Sequence, residues 1–125
     1  MAHAVHIQPG MSFDQLALHF RAADLVVYPS YYEGQGLIPL EALASGTPVV
    51  TVNQPPLTEM IDDEVGGLFT CGDPEDLARA VNHSLHHPEE RVKQMEKGRQ
   101  RVLDRFTYEH NAAAYEAIYA ALLDE

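Results

Sequence analysis

Residues Ala23 to Val50 read ADLVVYPSYYEGQGLIPLEALASGTPVV: two short apolar runs separated by a glycine loop and a helix-like segment. The first run, Asp24-Leu25-Val26-Val27-Tyr28, closes on Pro29-Ser30, and the second is Pro48-Val49-Val50-Thr51-Val52. Both are rich in β-branched residues and too short for helices, which suits strands buried on both faces. Between them, Leu37 to Ser45 places Leu40, Leu43 and Ala44 on one side, with Gly46 as a C-terminal stop. Strand, helix, strand at this spacing predicts a βαβ unit and a parallel sheet.

Outward from that stretch the same pattern extends. On the N-terminal side, Ala4 to Gln8 is β-compatible and ends in the turn signal Pro9-Gly10. Ser12, with Gln15 three residues later, predicts a capping box on a helix carrying Leu16, Phe20 and Ala23. On the C-terminal side, Asn53 to Pro56 predicts a turn, Leu57 to Ile61 a short helix, and Gly67 to Thr70 a third strand. Asp73-Pro74 pairs a capping residue with a proline at the first helical position. From there the chain reads as helix to its end, broken near His87-Pro88 and Phe106-Thr107 into three, with Thr107 as a cap. The expected fold is α/β: a partial Rossmann-like parallel sheet with flanking helices and a helical C-terminal tail. It forms one domain, with a βαβ part over 1–72 and a helical part over 73–125.

At 125 residues the chain has room for one domain and hardly for two. Eight Lys and Arg against 19 Asp and Glu give a net charge of −11, which argues against nucleic acid and anionic membranes as partners. The apolar runs fall far short of the ~20 residues that span a bilayer, and no basic region leads into an apolar one near Met1. The single cysteine, Cys71, cannot form an internal disulfide, and no Cys/His spacing supports catalysis by it. A soluble, cytoplasmic chain is the expectation.

In parallel sheets of this kind, ligands bind beyond the carboxyl ends of the strands. Two loops belong there, Ser30 to Gly36 and Asn53 to Thr58. Gly34 and Gly36 let the main chain approach a ligand closely, and the amides of Gly36, Leu37 and Ile38 open a helix, where a phosphate is favoured. Glu33 and Glu41 flank that opening and would accept hydrogen bonds from sugar hydroxyls. Phosphate and sugar together point to a nucleotide sugar, although one Glu pair at this spacing is also met among ordinary surface carboxylates.

The uninterrupted run from Ala23 to Val50 closely resembles the nucleotide-sugar-binding half of the retaining GT-B glycosyltransferases of family 4, or group 1. It carries Glu, seven residues, Glu, then Ala-Ser-Gly-Thr-Pro-Val-Val. The similarity continues through Glu59, Gly66-Gly67-Leu68, Asp73-Pro74 and Arg105-Phe106-Thr107. The resemblance implies transfer of a glycosyl group from a nucleotide diphosphate sugar, with retention at the anomeric carbon and without a bound metal or cofactor. It implies that Glu33, at the catalytic position, contacts donor-sugar hydroxyls as a positioner rather than a general base. Glu41 would then hold the ribose and the Gly36, Leu37 and Ile38 amides the diphosphate, with Gly34 and Glu59 beside the donor.

The chain departs from that family in several places. Arg21 is the only Lys or Arg before Glu64, where the family brings an Arg and a Lys to the leaving diphosphate. Pro55-Pro56 stands for a Gly-Gly turn, and Gln35 for a common aromatic. Only the last two-thirds or so of the family's C-terminal domain is matched. In the strand order 3-2-1-4-5-6, Ala4 to Gln8 would be strand 3 and Leu25 to Tyr28 strand 4, with strands 1 and 2 absent. The edge so exposed calls for a partner chain, self-association or a rearranged sheet. A glycosyltransferase portion, incomplete and inactive alone, is thus one reading; a non-catalytic nucleotide-sugar-binding or protein-interaction module is another, and a truncated reading frame a third.

Other features have simpler readings. His83 and His87 are four apart and could chelate a metal, but they sit at a helix C-terminal end, where the dipole favours histidine. Tyr31 and Tyr32 could stack on a base or merely pack. Glu59, Asp62, Asp63 and Glu64 read as a solvated helix end, and Ala112, Tyr115, Ile118, Tyr119 and Leu122 as one face of a packing helix.

Overall fold

A computed structural model describes residues 4–123. Helix α1 (Phe13–Ala22) leads to strand β1 (Val26–Tyr28), and helix α2 (Leu37–Ala44) links this to β2 (Val49–Val52). A single 3-10 turn (Leu57–Glu59) precedes β3 (Gly66–Phe69). Three helices follow: α3 (Pro74–His86), α4 (Pro88–Arg105) and α5 (Tyr108–Leu123). The three strands form one parallel sheet in the order β1-β2-β3, with Val50 opposite both Val27 and Gly67.

Each start and stop has a local cause. Ser12 accepts from the Gln15 amide while the Gln15 side chain accepts from the Ser12 amide, closing the expected capping box on α1. Asp73 accepts from the Glu75 and Asp76 amides at 3.0 Å each, and Pro74 opens α3. Gly46, at φ 82°, ends α2 in the left-handed region, where a side chain would be strained.

The core lies around β2, all four of whose residues are buried, with Leu43 of α2 and Leu57, Ile61 and Val65 of the following connection. α2 packs against α1 and α4, while α3 and α4 cover the β3 side. Two close approaches need glycine. A Cβ at Gly66 would collide with the Val49 carbonyl across the β2–β3 ladder, and one at Gly98 of α4 would stand 2.7 Å from Leu43 Cδ2. Side chains of α4 also tie it to the rest: Arg101 Nη1 donates to the Met60 carbonyl at 3.2 Å and Arg99 Nη1 to the Ala44 carbonyl at 2.9 Å.

Four expectations are corrected. Ala4 to Gln8 forms no strand, and Val5 and Ile7 are exposed; a strand needs ladder partners, and among the described residues the outer edge of β1 has none. The third strand is Gly66–Phe69, shifted by one, because Gly66 pairs with Val49. The short helix after Pro55-Pro56 is only the 3-10 turn Leu57–Glu59. The last helix does not pack: no residue of α5 is buried.

Candidate functional site

The carboxyl ends of β1 and β2 open into the two loops that the sequence singles out, and side chains join them. Gln54 Nε2 donates to the Tyr31 carbonyl at 3.0 Å, and Thr51 Oγ1 to the Tyr28 carbonyl at 2.9 Å. The Asn53 amide donates to the Phe69 carbonyl at 2.8 Å, fastening the second loop to the end of β3. The crevice floor is therefore stitched across all three strands.

Glu33 is the most constrained side chain there. Its Oε2 accepts from the Tyr28 hydroxyl, and its Oε1 from the Gly34 amide at 2.9 Å and the Gln35 amide at 3.3 Å. These donors favour the ionised form and hold the Glu33 carboxyl below the usual carboxylate range, the tyrosine bond contributing most. The same bond raises the Tyr28 phenol above its ordinary value, because the carboxylate prefers a neutral donor. Sequence reasoning missed Tyr28, weighing Tyr31 and Tyr32 instead; both of those are exposed.

Gly36 caps α2 at φ 88° with no side-chain hydrogen bond, leaving the helix N-terminus open. A Cβ there would lie 2.7 Å from Leu57 and 2.8 Å from Met60, so the 3-10 turn packs directly beneath the loop. The third helical residue is Pro39, so only Leu37 and Ile38 follow the cap with N–H groups before Leu40, whose amide already bonds Gly36 O at 3.5 Å. Leu37 is exposed and Ile38 half-buried. Glu41 is half-buried in the second turn of α2, and Glu59 is exposed on the 3-10 turn below Gly36. Among the described residues, no hydrogen bond reaches either carboxylate, whereas Glu33 accepts three.

Before Glu64 the sequence holds one Lys or Arg, Arg21. Arg21 lines a shallow groove with Ser45, Gly46 and Arg99, at the C-terminal end of α2 rather than its N-terminal end. Asp62 and Glu64 are engaged by Arg101 and Lys97, so two of the four residues of the acidic cluster are paired against α4. His86 and His87 bond the Asn82 and His83 carbonyls at 2.7 Å each, closing the end of α3. Among the described residues no group of three or more His, Cys, Asp or Glu is placed to hold a metal ion. Nor is any helix there long and apolar enough to cross a membrane.

Against known proteins, a family model described as "Glycosyl transferases group 1" matches residues 1–101. MMP alpha-(1->4)-mannosyltransferase of Mycolicibacterium hassiacum is 34% identical over 92% of this chain, which spans 28% of that relative. Among solved structures, sucrose-phosphate synthase of Thermosynechococcus elongatus superposes with a TM-score of 0.78 at 35% identity, covering 87% of this chain and 28% of that one. The C-terminal domain of a glycosyl transferase group 1 family protein, LpcC, from Francisella tularensis gives 0.73 at 28% identity, over 82% of this chain and 53% of that one.

Proposed function

The chain belongs to the group 1 glycosyl transferases and carries part of their GT-B fold, and on that premise we propose that it is the donor-binding portion of a retaining, metal-independent enzyme. It takes a nucleotide diphosphate sugar, acts in the cytoplasm, and requires further sequence or a partner for transfer. The single observation that carries the reading is the open, uncapped N-terminus of α2 beside the braced Glu33.

In this reading the diphosphate sits on the Gly36, Leu37 and Ile38 amides, where the helix dipole and free N–H groups favour an anion. Gly34 leaves the approach clear of side-chain atoms. Glu41 and Glu59, with acceptor capacity to spare, take ribose and sugar hydroxyls. Glu33 holds the donor sugar by its remaining lone pairs and acts as a positioner: a carboxylate already accepting three hydrogen bonds, with a lowered pKa, is a poor proton acceptor. Incompleteness is supported by the bare edge of β1, by α5, and by the share of its relative that the chain spans, about a quarter.

The second reading, a binding or interaction module without transfer chemistry, is favoured by one observation: Arg21, the only Lys or Arg before Glu64, lies by the C-terminal end of α2 rather than at its opening, where a leaving diphosphate would need a cation. Calorimetric titration with UDP-glucose, GDP-mannose and the free nucleotides, beside Glu41→Ala, tests the donor site. Saturable binding lost in the variant is expected. Binding that survives Glu41→Ala, or no binding of any donor, overturns the assignment, and turnover after addition of an acceptor-binding domain separates enzyme from module.

A further inference from the structure

Among the described residues, Glu33 is the only acid at the α2 opening that hydrogen bonds hold, and they reach it from two sides. From its own loop, the Gly34 and Gln35 amides donate to Oε1 at 2.9 and 3.3 Å. From the sheet, the Tyr28 hydroxyl donates to Oε2. Tyr28 is the last residue of β1, paired with Thr51 of β2, and its carbonyl accepts from the buried Thr51 Oγ1 at 2.9 Å. The phenol is therefore mounted on the sheet rather than on the glycine loop. Its raised pKa keeps it a neutral donor at neutral pH.

An ionised carboxylate offers roughly four acceptor positions. The two loop amides occupy Oε1 and the phenol occupies one side of Oε2, so the capacity that remains belongs to Oε2. The stem of Glu33 lies over the residue that caps α2, with Cγ 3.7 Å from where a Cβ on Gly36 would stand. A ligand whose phosphates meet the Gly36, Leu37 and Ile38 amides thus brings its sugar to a carboxylate with a fixed aim. Without the phenol hydroxyl, Oε1 stays tied to the loop, but the last torsion of a glutamate is broad and Oε2 loses its fixed direction. An acceptor ordered in advance makes its contact without the entropic cost of ordering it on binding.

We propose that Tyr28 is a positioning residue that sets sugar selectivity: by fixing Oε2, it makes Glu33 accept from one particular hydroxyl of the donor sugar and not from its neighbours. This rests on the reading of the α2 opening as the donor site. Tyr28 touches Glu33, not the donor.

The test is calorimetric titration of the unaltered chain and of Tyr28→Phe with UDP-glucose and GDP-mannose. The 2-, 3-, 4- and 6-deoxy analogues of whichever donor binds more tightly follow, with the matching free nucleoside diphosphate. In the unaltered chain, loss of the hydroxyl that Glu33 accepts from should weaken binding about tenfold. In Tyr28→Phe that one penalty should fall to about twofold, while the other penalties and the free nucleotide's affinity stay unchanged. A purely structural role would weaken the whole series together, nucleotide included. Tyr28→Leu also lacks the hydroxyl and should show the same pattern, which covers a phenylalanine variant that does not fold. Donor binding with no deoxy penalty, with the same penalties in variant and unaltered chain, or with changes spread over several positions or the nucleotide overturns this proposal and leaves the donor site standing. No binding of either donor by the unaltered chain overturns both.

Discussion

Strand β2 and helix α5 are both apolar segments, yet the chain treats them in opposite ways. All four residues of β2 are buried and it is paired on both edges, whereas no residue of α5 is buried and Tyr108, Tyr115, Ile118, Tyr119, Leu122 and Leu123 are exposed. Apolarity alone therefore does not place a segment in the core; it needs a surface to meet. β2 meets α2, the 3-10 turn and both neighbouring strands within a short span of chain. α5 carries apolar residues around much of its circumference, the pattern of a helix that other chain segments cover.

That contrast breaks most sharply at Leu43, which is 1% exposed and meets α4 at Gly98. Leu43→Ala should cost about 2–5 kcal/mol in urea unfolding, through lost burial and the cavity left behind. Gly98→Ala presses on the same contact from the other side, since the new Cβ would stand 2.7 Å from Leu43 Cδ2; a loss of about 1–3 kcal/mol is expected. Asp73→Ala, which leaves the Glu75 and Asp76 amides uncapped, should cost about 1 kcal/mol in the same assay. Tyr119→Ala on α5 should change the stability of this chain by no more than about 0.5 kcal/mol, because the side chain is exposed. A loss as large as that of Leu43→Ala would show that α5 packs.

The smallest effect concerns pH and the Tyr28–Glu33 bond. Glu33 titrates below its ordinary 4.5 in the folded chain, so its contribution is complete above that value and is lost as pH falls through the lowered folded pKa. Carboxyl-carbon NMR should show the Glu33 midpoint moving back up towards 4.5 in Tyr28→Phe, since the largest cause of the depression is removed. An unmoved midpoint would mean that the Gly34 and Gln35 amides alone set it.

Where the sequence was legible, the cause was local. The Ser12/Gln15 box, the Asp73-Pro74 start and the Gly46 stop each act within one helical turn, and all three stand where expected. β2 was readable because a strand buried on both faces is apolar throughout; β1 forms where expected, but not buried on both faces, since Val26 and Tyr28 are half-buried and Val27 is exposed. Ala4 to Gln8 has the residues of a strand, but strand formation depends on a neighbour, which composition does not disclose. The α5 residues likewise show helical spacing, and the helix forms over Tyr108–Leu123; its burial was the non-local part of the expectation. At the site, the glycine loop and the α2 opening were visible as a motif. The Tyr28 brace and the Gln54–Tyr31 stitch were not, because each joins a strand end to a loop by a side-chain geometry that spacing does not specify.

The account rests most on the claim that the opening of α2 is the donor site, and amide mapping of the 15N-labelled chain with UDP-glucose and GDP-mannose tests it most directly. The account predicts that at least one of these donors gives its largest saturable shifts at Gly36, Leu37 and Ile38, with smaller ones near Glu33 and Glu41. No saturable shift with either donor, or shifts centred away from this segment, would contradict it.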